Sequence, residues 1–395
     1  MIRNGCLRAL WMALLFSGML AEAAPHRSSS QQNLVRVRVA HSLSSTVIKG
    51  HSLSIESVGS TFDFGPSMEE LQIELQSSEG VSQWSVTRLS GGETKYFSGS
   101  SLSVVGMDLW SGKNRLPPRV SFLAKNSSGR SFDLLVNLEL EQYLANVLPH
   151  EMPASWPIEA LKAQAIAARS YTLYQQRHRA KDAFDVESTI LDQAFKYKEL
   201  EDSKWREKVL KVLHETKGMV LQHSSLPIKA YYHADCGGTT ELASNVWGGH
   251  QKFNGHVSSC PFKSAKPWEY RIERAFLVRL LANSFEQNLS GKTLSQISID
   301  SRTDSGRVKN IKFSFSEGGF VQVSSQSLRE TLGFSKLKSA HFKVQLKEDE
   351  VFFEGIGHGH GVGLCQRGAR FLASKGESFR SILSKYYPDS RLAAP

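Results

Sequence analysis

The chain has 395 residues, 40% hydrophobic and 22% charged, with a formal net charge of +10. That length suits two domains better than one, and the composition is globular rather than disordered. The basic balance suits an anionic surface such as cell wall or membrane, or simply solubility. Nucleic acid is not expected as a partner, because there is no Lys/Arg-rich run and no aromatic RNA-binding signature.

Residues 1–23 read as a cleaved secretory signal. Arg3 and Arg8 form a positive n-region, Ala9 to Leu20 an apolar run, and Ala21-Glu22-Ala23 an A-x-A site. The apolar run is short for a bilayer span, although a retained N-terminal anchor is the other reading. No later segment is apolar enough to cross a membrane. The mature protein is therefore expected to be exported, in the periplasm or cell-wall space, with no stable membrane span after signal cleavage. Cleavage also removes Arg3, Arg8 and Glu22, which lowers the net charge by one.

Residues 24–34, "APHRSSSQQNL", form a polar, flexible leader. From Val35 to about Leu140 the pattern is short and β-like, with the strand-rich N-terminal lobe placed at 35–130: "VRVRVA" alternates strictly, "HSLSIESV" and "SFDLLVNLEL" behave similarly, and Gly/Ser punctuation separates them. The character changes at Tyr143. "SWPIEALKAQAIAARSYTLYQQRH" predicts a long alanine-rich helix starting at Ser155, with Pro157 in its first turn. A second helix is predicted over Lys204 to Thr216, with Ser203 as N-cap and Gly218 as stop. Strand-like "MVLQ" and "IKAYYH" follow. Then come a helix near Ala275 to Ser284, strands at "VKNIKFSF" and "FVQVSS", and a glycine-rich loop running into a helix stopped by Gly376. A last short helix spans Phe379 to Tyr386. The fold class is α+β: a strand-rich N-terminal lobe joined to a mixed α/β catalytic core, 131–390, with the long alanine-rich helix.

Glu151 stands alone as an acid in "VLPHEMPASWP", between Pro149 and Pro153. The prolines restrict the backbone and so fix the direction of the side chain. The positive end of the following helix would favour the charged carboxylate, while burial beside Met152 and Trp156 would keep it protonated. If burial wins, Glu151 is a general acid near neutral pH; otherwise it is a capping glutamate. His150-Glu151 is not a zinc-protease motif, since position 154 is Ala154.

Cys236, Cys260 and Cys365 survive processing. With His233, in H-x-x-C spacing to Cys236, they make a possible Cys₃His zinc set, but the spacings match no recognised zinc pair of pairs. In an exported protein the plainer reading is a Cys236–Cys260 disulfide; buried free thiols are the third. No metal or cofactor is expected. "GIGHGHGVGLCQRGA" places glycine at every second position from Gly355 to Gly363, which lets backbone approach a neighbour closely. It lacks phosphate-loop spacing. His358 and His360 alternate with these glycines and could point the same way.

Four stretches together resemble the stage II sporulation protein D (SpoIID/LytB) family of exported cell-wall proteins. They are "EQYLANVLPHEMPASWPIEALKAQAIAARSYTLY", "ETKGMVLQHSSLPIKAYYHADCGGTTELASNVWGG", "SGRVKNIKFSF" and "GIGHGHGVGLCQRGARFLASKGESFRSILSKYYPD", in the family's order over roughly 130 to 390. The resemblance implies a peptidoglycan lytic transglycosylase that cleaves the MurNAc–GlcNAc bond and leaves a 1,6-anhydro sugar. It implies Glu151, of the E-M-P motif, as the catalytic acid. Ordinary glycosidases need two carboxylates. A transglycosylase uses the sugar's own 6-hydroxyl, so one carboxyl can serve as acid and then as base.

By the same resemblance Lys162, Gln164, Arg169 and Tyr171 come with the helix, with Arg169 and Tyr171 shaping the groove, although Arg169 could equally be a structural ion pair. His360 and Gln366 line the sugar site, and Gln193 faces the groove. Some members bind zinc just after the helix, but here Glu187, Leu191 and Asp192 stand at that site, with only His178 and Gln193 left. His358 replaces the family's tryptophan, removing a stacking contact with sugar. The implied partners are glycan strands of peptidoglycan, with a wall amidase as a second candidate. The rival readings are a non-catalytic wall-binding or amidase-enhancing protein, and a thiol- or zinc-dependent hydrolase built on Cys236, Cys365 and His360.

Overall fold

The structure is a computed structural model that describes residues 34–78, 81–125, 129–189, 192–197, 203–249, 253, 255–262 and 267–394. The expected signal and the leader up to residue 33 lie outside them. Leu34, the last leader residue, instead opens the first strand, Leu34–Leu43.

That strand buries Val35 and Val37 and turns Arg36 and Arg38 outward, onto Asp185 and Asp133 respectively. Alternation of this kind is the two-residue period of a half-buried strand. The strand belongs to an 11-stranded sheet and pairs antiparallel with Phe132–Glu139 and parallel with the short Val186–Glu187. Phe132–Glu139 in turn pairs with Arg119–Ala124. The expected boundary near residue 130 thus falls between neighbouring strands of one sheet. Trp84, Phe122 and Phe132 pack ring against ring in the interior. The same apolar core continues into the helices.

Two helices follow the sheet directly. Helix α1, Leu140–Glu151, buries Tyr143, Leu144, Val147 and Leu148, the i, i+3, i+4 spacing of one helical face. Helix α2, Ile158–His178, is buried along most of its length. Its small residues Ala160, Ala163 and Ala167 are fully buried. Helices α1, α3 (Arg206–Glu215) and Gln366–Ser374 all pack against α2. The predicted start of α2 moves from Ser155 to Pro157, which is the N-cap with φ −55° and ψ 142°. The α3 N-cap likewise moves from Ser203 to Trp205.

Residues 268–355 build a second, separate core. A three-stranded sheet of Trp268–Glu273, Glu350–Gly355 and Phe342–Lys347 stands with a second one of Leu294–Arg302, Val308–Phe315 and Phe320–Ser324. Helices Arg274–Ser284 and Ser325–Leu332 complete it, around Ile311, Phe313, Leu328 and Phe353. The sequence reading placed this region inside one catalytic core and recovered one of its helices and two of its strands. No helix among the described residues is long and apolar enough to cross a membrane.

Candidate active site around Glu151

Glu151 is the last residue of α1, and Met152 leaves the helix with an extended backbone (φ −135°, ψ 126°). The preceding helix therefore opposes the contribution expected from the following one. Glu151 sits at the negative end of the helix before it, where a charged carboxylate is disfavoured. Its side chain opens on a cavity of about 650 Å³. Burial holds the carboxyl above the usual glutamate range, against hydrogen bonds from the Ala194 amide, Tyr232 and Gln366 that favour the anion. Burial of this kind keeps an acid protonated towards neutral pH.

Gln193 sits behind the cavity wall, fully buried, and sets the direction of one of these donors. Its Nε2 faces the Ala168 carbonyl at 3.3 Å and the Tyr232 hydroxyl at 3.0 Å. Its Oε1 accepts from Tyr143 and Thr172 at 2.9 and 2.8 Å. A carbonyl only accepts, so the amide cannot flip. Tyr232 therefore receives the Gln193 proton and has its own free to donate to Glu151. Gln366 Nε2 also donates to Gln164 Oε1, 3.3 Å away, which ties the loop-to-helix junction to α2.

A second carboxylate, Asp192, lines the same cavity. It accepts from the Tyr171 hydroxyl at 2.6 Å, Arg179 at 2.6 Å, Gln175 at 2.8 Å and the Glu187 amide at 2.9 Å. Burial opposes its charge, but the bonds from Tyr171 and Arg179 outweigh it and hold the carboxyl below the usual range. Asp192 is a pinned anion, with its oxygens already occupied.

The opposite wall is aromatic. Tyr231 stacks on Trp247 with centroids 4.4 Å apart, and His360 packs against both. Trp247 is 42% exposed, so its ring is open to a ligand. The stacking surface lost where His358 replaces tryptophan is thus available from another segment. His358 and His360 both line the cavity. They do so because Gly357, Gly359, Gly361 and Gly363 between and around them all hold positive φ, from 72° to 109°, a region that glycine enters without penalty. Burial, with the charges of Arg329 and Arg307, pushes His360 down to about 3, so it is a neutral hydrogen-bonding group. Lys229 and Arg329 add cations to the lining.

The family described as Stage II sporulation protein matches residues 128–223, and a domain of unknown function (DUF8618) matches residues 258–363, which overlap the second core. An uncharacterised protein of Brachyspira hyodysenteriae is 35% identical over 257 residues, covering 64% of this chain and 67% of its own. Stage II sporulation protein D of Bacillus subtilis is 28% identical over 275 residues, covering 65% of this chain and 75% of its own. The chain belongs to the SpoIID family. The amidase enhancer of Bacillus subtilis is also similar, 27% identical over 307 residues, but this chain spans only 40% of its length.

Within the SpoIID protein, Glu151, Tyr171, His360 and Gln366 meet in one cavity. Arg169 does not join them. It is 1% exposed and forms a two-pronged pair with Glu141, both contacts at 2.9 Å, plus a 3.3 Å bond to the Met219 carbonyl. It is the structural ion pair rather than a groove residue. The expected Cys236–Cys260 disulfide is not formed in the structure: Cys236, Cys260 and Cys365 are all free and buried. Sequence reasoning missed Tyr232 and Trp247. Both lie in the quoted "IKAYYHADCGG…NVWGG" stretch, where an aromatic pair beside a histidine was the available signal.

Proposed function

We propose that this SpoIID-family protein is an exported lytic transglycosylase that cleaves the MurNAc–GlcNAc bond of peptidoglycan strands to 1,6-anhydro ends. One observation supports this: among the described residues lining the cavity, Glu151 is the one carboxyl not pinned as an anion, and burial raises its pKa. Asp192, the other carboxylate, is held charged by Tyr171 and Arg179 and is not free to act as nucleophile or base. A hydrolase with two working carboxylates is hard to build from that pair.

In this reading Glu151 donates its proton to the bridging oxygen as the glycosidic bond breaks. The carboxylate left behind is stabilised by the Ala194 amide, Tyr232 and Gln366. It then takes the proton of the sugar 6-hydroxyl as that oxygen closes on the anomeric carbon, which restores the acid. Trp247 and Tyr231 give the sugar ring an apolar face to lie against. A peptidoglycan partner also fits the basic net charge.

The amidase-enhancer relative favours a second reading, in which the protein binds glycan without turnover. Mass spectrometry of purified glycan strands incubated with the protein separates the two. Anhydro-ended fragments formed by the wild type and absent with Glu151→Gln support catalysis. Strand binding with no fragments from either supports the second.

A further inference from the structure

The three free thiols belong to a larger constellation beside the cavity. The Cys236 and Cys365 sulfurs and an imidazole nitrogen of His233 all lie within 4.8 Å of one another. All three residues are buried, His233 at 4% exposure. The Cys260 thiol, also buried, lies close to both other sulfurs, with its Sγ 3.3 Å from the Tyr386 hydroxyl.

His233 is set up as a ligand. Its Nδ1 is 3.0 Å from the Val362 carbonyl, and a carbonyl only accepts, so Nδ1 carries the proton. Nε2 is then a bare lone pair, and it has no hydrogen-bond partner among the described residues. An orphaned buried acceptor is disfavoured unless something electrophilic fills it. An Nδ1–H bound to a backbone carbonyl is the usual outer support of a metal-bound histidine.

The sulfurs sit among hydrogen-bond donors. Backbone N–H groups point at two of them: Gly238 at Cys236 Sγ (3.4 Å), and both Cys236 and Gly368 at Cys365 Sγ (3.3 Å each). Arg307, 2% exposed, bonds the Cys236 carbonyl at 2.6 Å. Glu241 reaches that guanidinium through the Ser305 hydroxyl. Gly361 leaves room for it, since a Cβ there would stand 2.4 Å from Arg307 Nη2.

We propose that Cys236, Cys260, Cys365 and His233 Nε2 together bind one zinc ion in a closed, four-coordinate structural site. Tetrahedral zinc with bonds of about 2.3 Å to sulfur and about 2.0 Å to nitrogen needs its ligands roughly 3.5–3.8 Å apart; His233, Cys236 and Cys365 already lie within 4.8 Å of one another, and Cys260 moves in to close the fourth position. A three-sulfur, one-nitrogen set selects zinc over harder ions. On binding, the three thiols release their protons to solvent and the assembly carries one net negative charge beside Arg307. The ion would fasten three separate stretches: Tyr232–His233 with the turn after it, the segment around Cys260, and the start of Gln366–Ser374. Tyr232 and Gln366, both partners of Glu151, are chain neighbours of ligands, so the site would brace the cavity wall. It stands independently of the reaction proposed above.

The test is metal analysis of the purified, reduced protein, followed by cobalt(II) titration of chelator-stripped protein. The expected results are one zinc per chain, a lower melting temperature after stripping, and with cobalt a thiolate charge-transfer band plus tetrahedral visible bands. Cys365→Ser and His233→Gln should lose the bound metal. Where these variants do not fold, the wild-type cobalt spectrum decides by itself. Cobalt binding without the charge-transfer band, no binding by fully reduced protein, or a disulfide among these cysteines in intact mass after alkylation would each overturn the proposal.

Discussion

Tyr232→Phe tests how Glu151 is tuned. The Tyr232 hydroxyl receives the Gln193 amide proton at 3.0 Å and so donates its own to the carboxylate. A hydrogen bond to a charged group contributes about 1.5–3 kcal/mol, and one pKa unit corresponds to about 1.4 kcal/mol. The Ala194 amide and Gln366 remain in the variant, so the lower end applies, a shift of roughly one unit. The direction is upward, because a donor to the anion is removed and burial is unchanged. In the proposed reaction the first step needs protonated Glu151, so activity should fall as pH rises through its pKa. The assay is kcat/KM for release of fragments from glycan strands against pH, where the high-pH limb should move up by about one unit. A limb that stays put, or moves down, would refute the reasoning.

Glu141→Ala should destabilise by about 2–3 kcal/mol, since it leaves buried Arg169 without its carboxylate while Glu141 is itself 31% exposed. Denaturant midpoints measure this; an unchanged midpoint with lost turnover would return Arg169 to the groove. Gly363→Ala places a Cβ 2.0 Å from the Tyr231 carbonyl at φ 72°, and should cost about 2–4 kcal/mol in the same assay, a neutral result contradicting the close approach. Glu151→Gln should gain stability over wild type as pH rises. A carboxyl with a raised folded-state pKa contributes fully below its unfolded value and loses that contribution through the folded one. Parallel melting temperatures of the two proteins from acid to neutral pH would contradict this.

Much of the architecture was legible because local patterns agreed with tertiary burial. The alternation in "VRVRVA" became a half-buried strand, and the Gly218 and Gly376 stops both hold positive φ. Helix α1 was not read, because its apolar positions follow a strand-like run without a break and Pro149 lies in its last turn. The Tyr143, Leu144, Val147, Leu148 spacing was the usable signal. That omission left out the opposing helix end at Glu151. The period-two pattern of "FKVQLK" was likewise passed over, although it forms the hairpin of the second core. At the site, the residue types at Tyr171, His360 and Gln366 were visible, but the chain separation that brings Trp247 beside His360 was not. Nor could spacing show that Cys365, far along the chain, closes on Cys236.

The central claim is that Glu151 alone carries the proton for glycan cleavage. Mass spectrometry of fragments released from purified strands, wild type beside Glu151→Gln at matched folding, tests it most directly. The account predicts anhydro-ended fragments from the wild type and none from the variant. Undiminished anhydro product from Glu151→Gln, or hydrolysed reducing ends from the wild type, would contradict it.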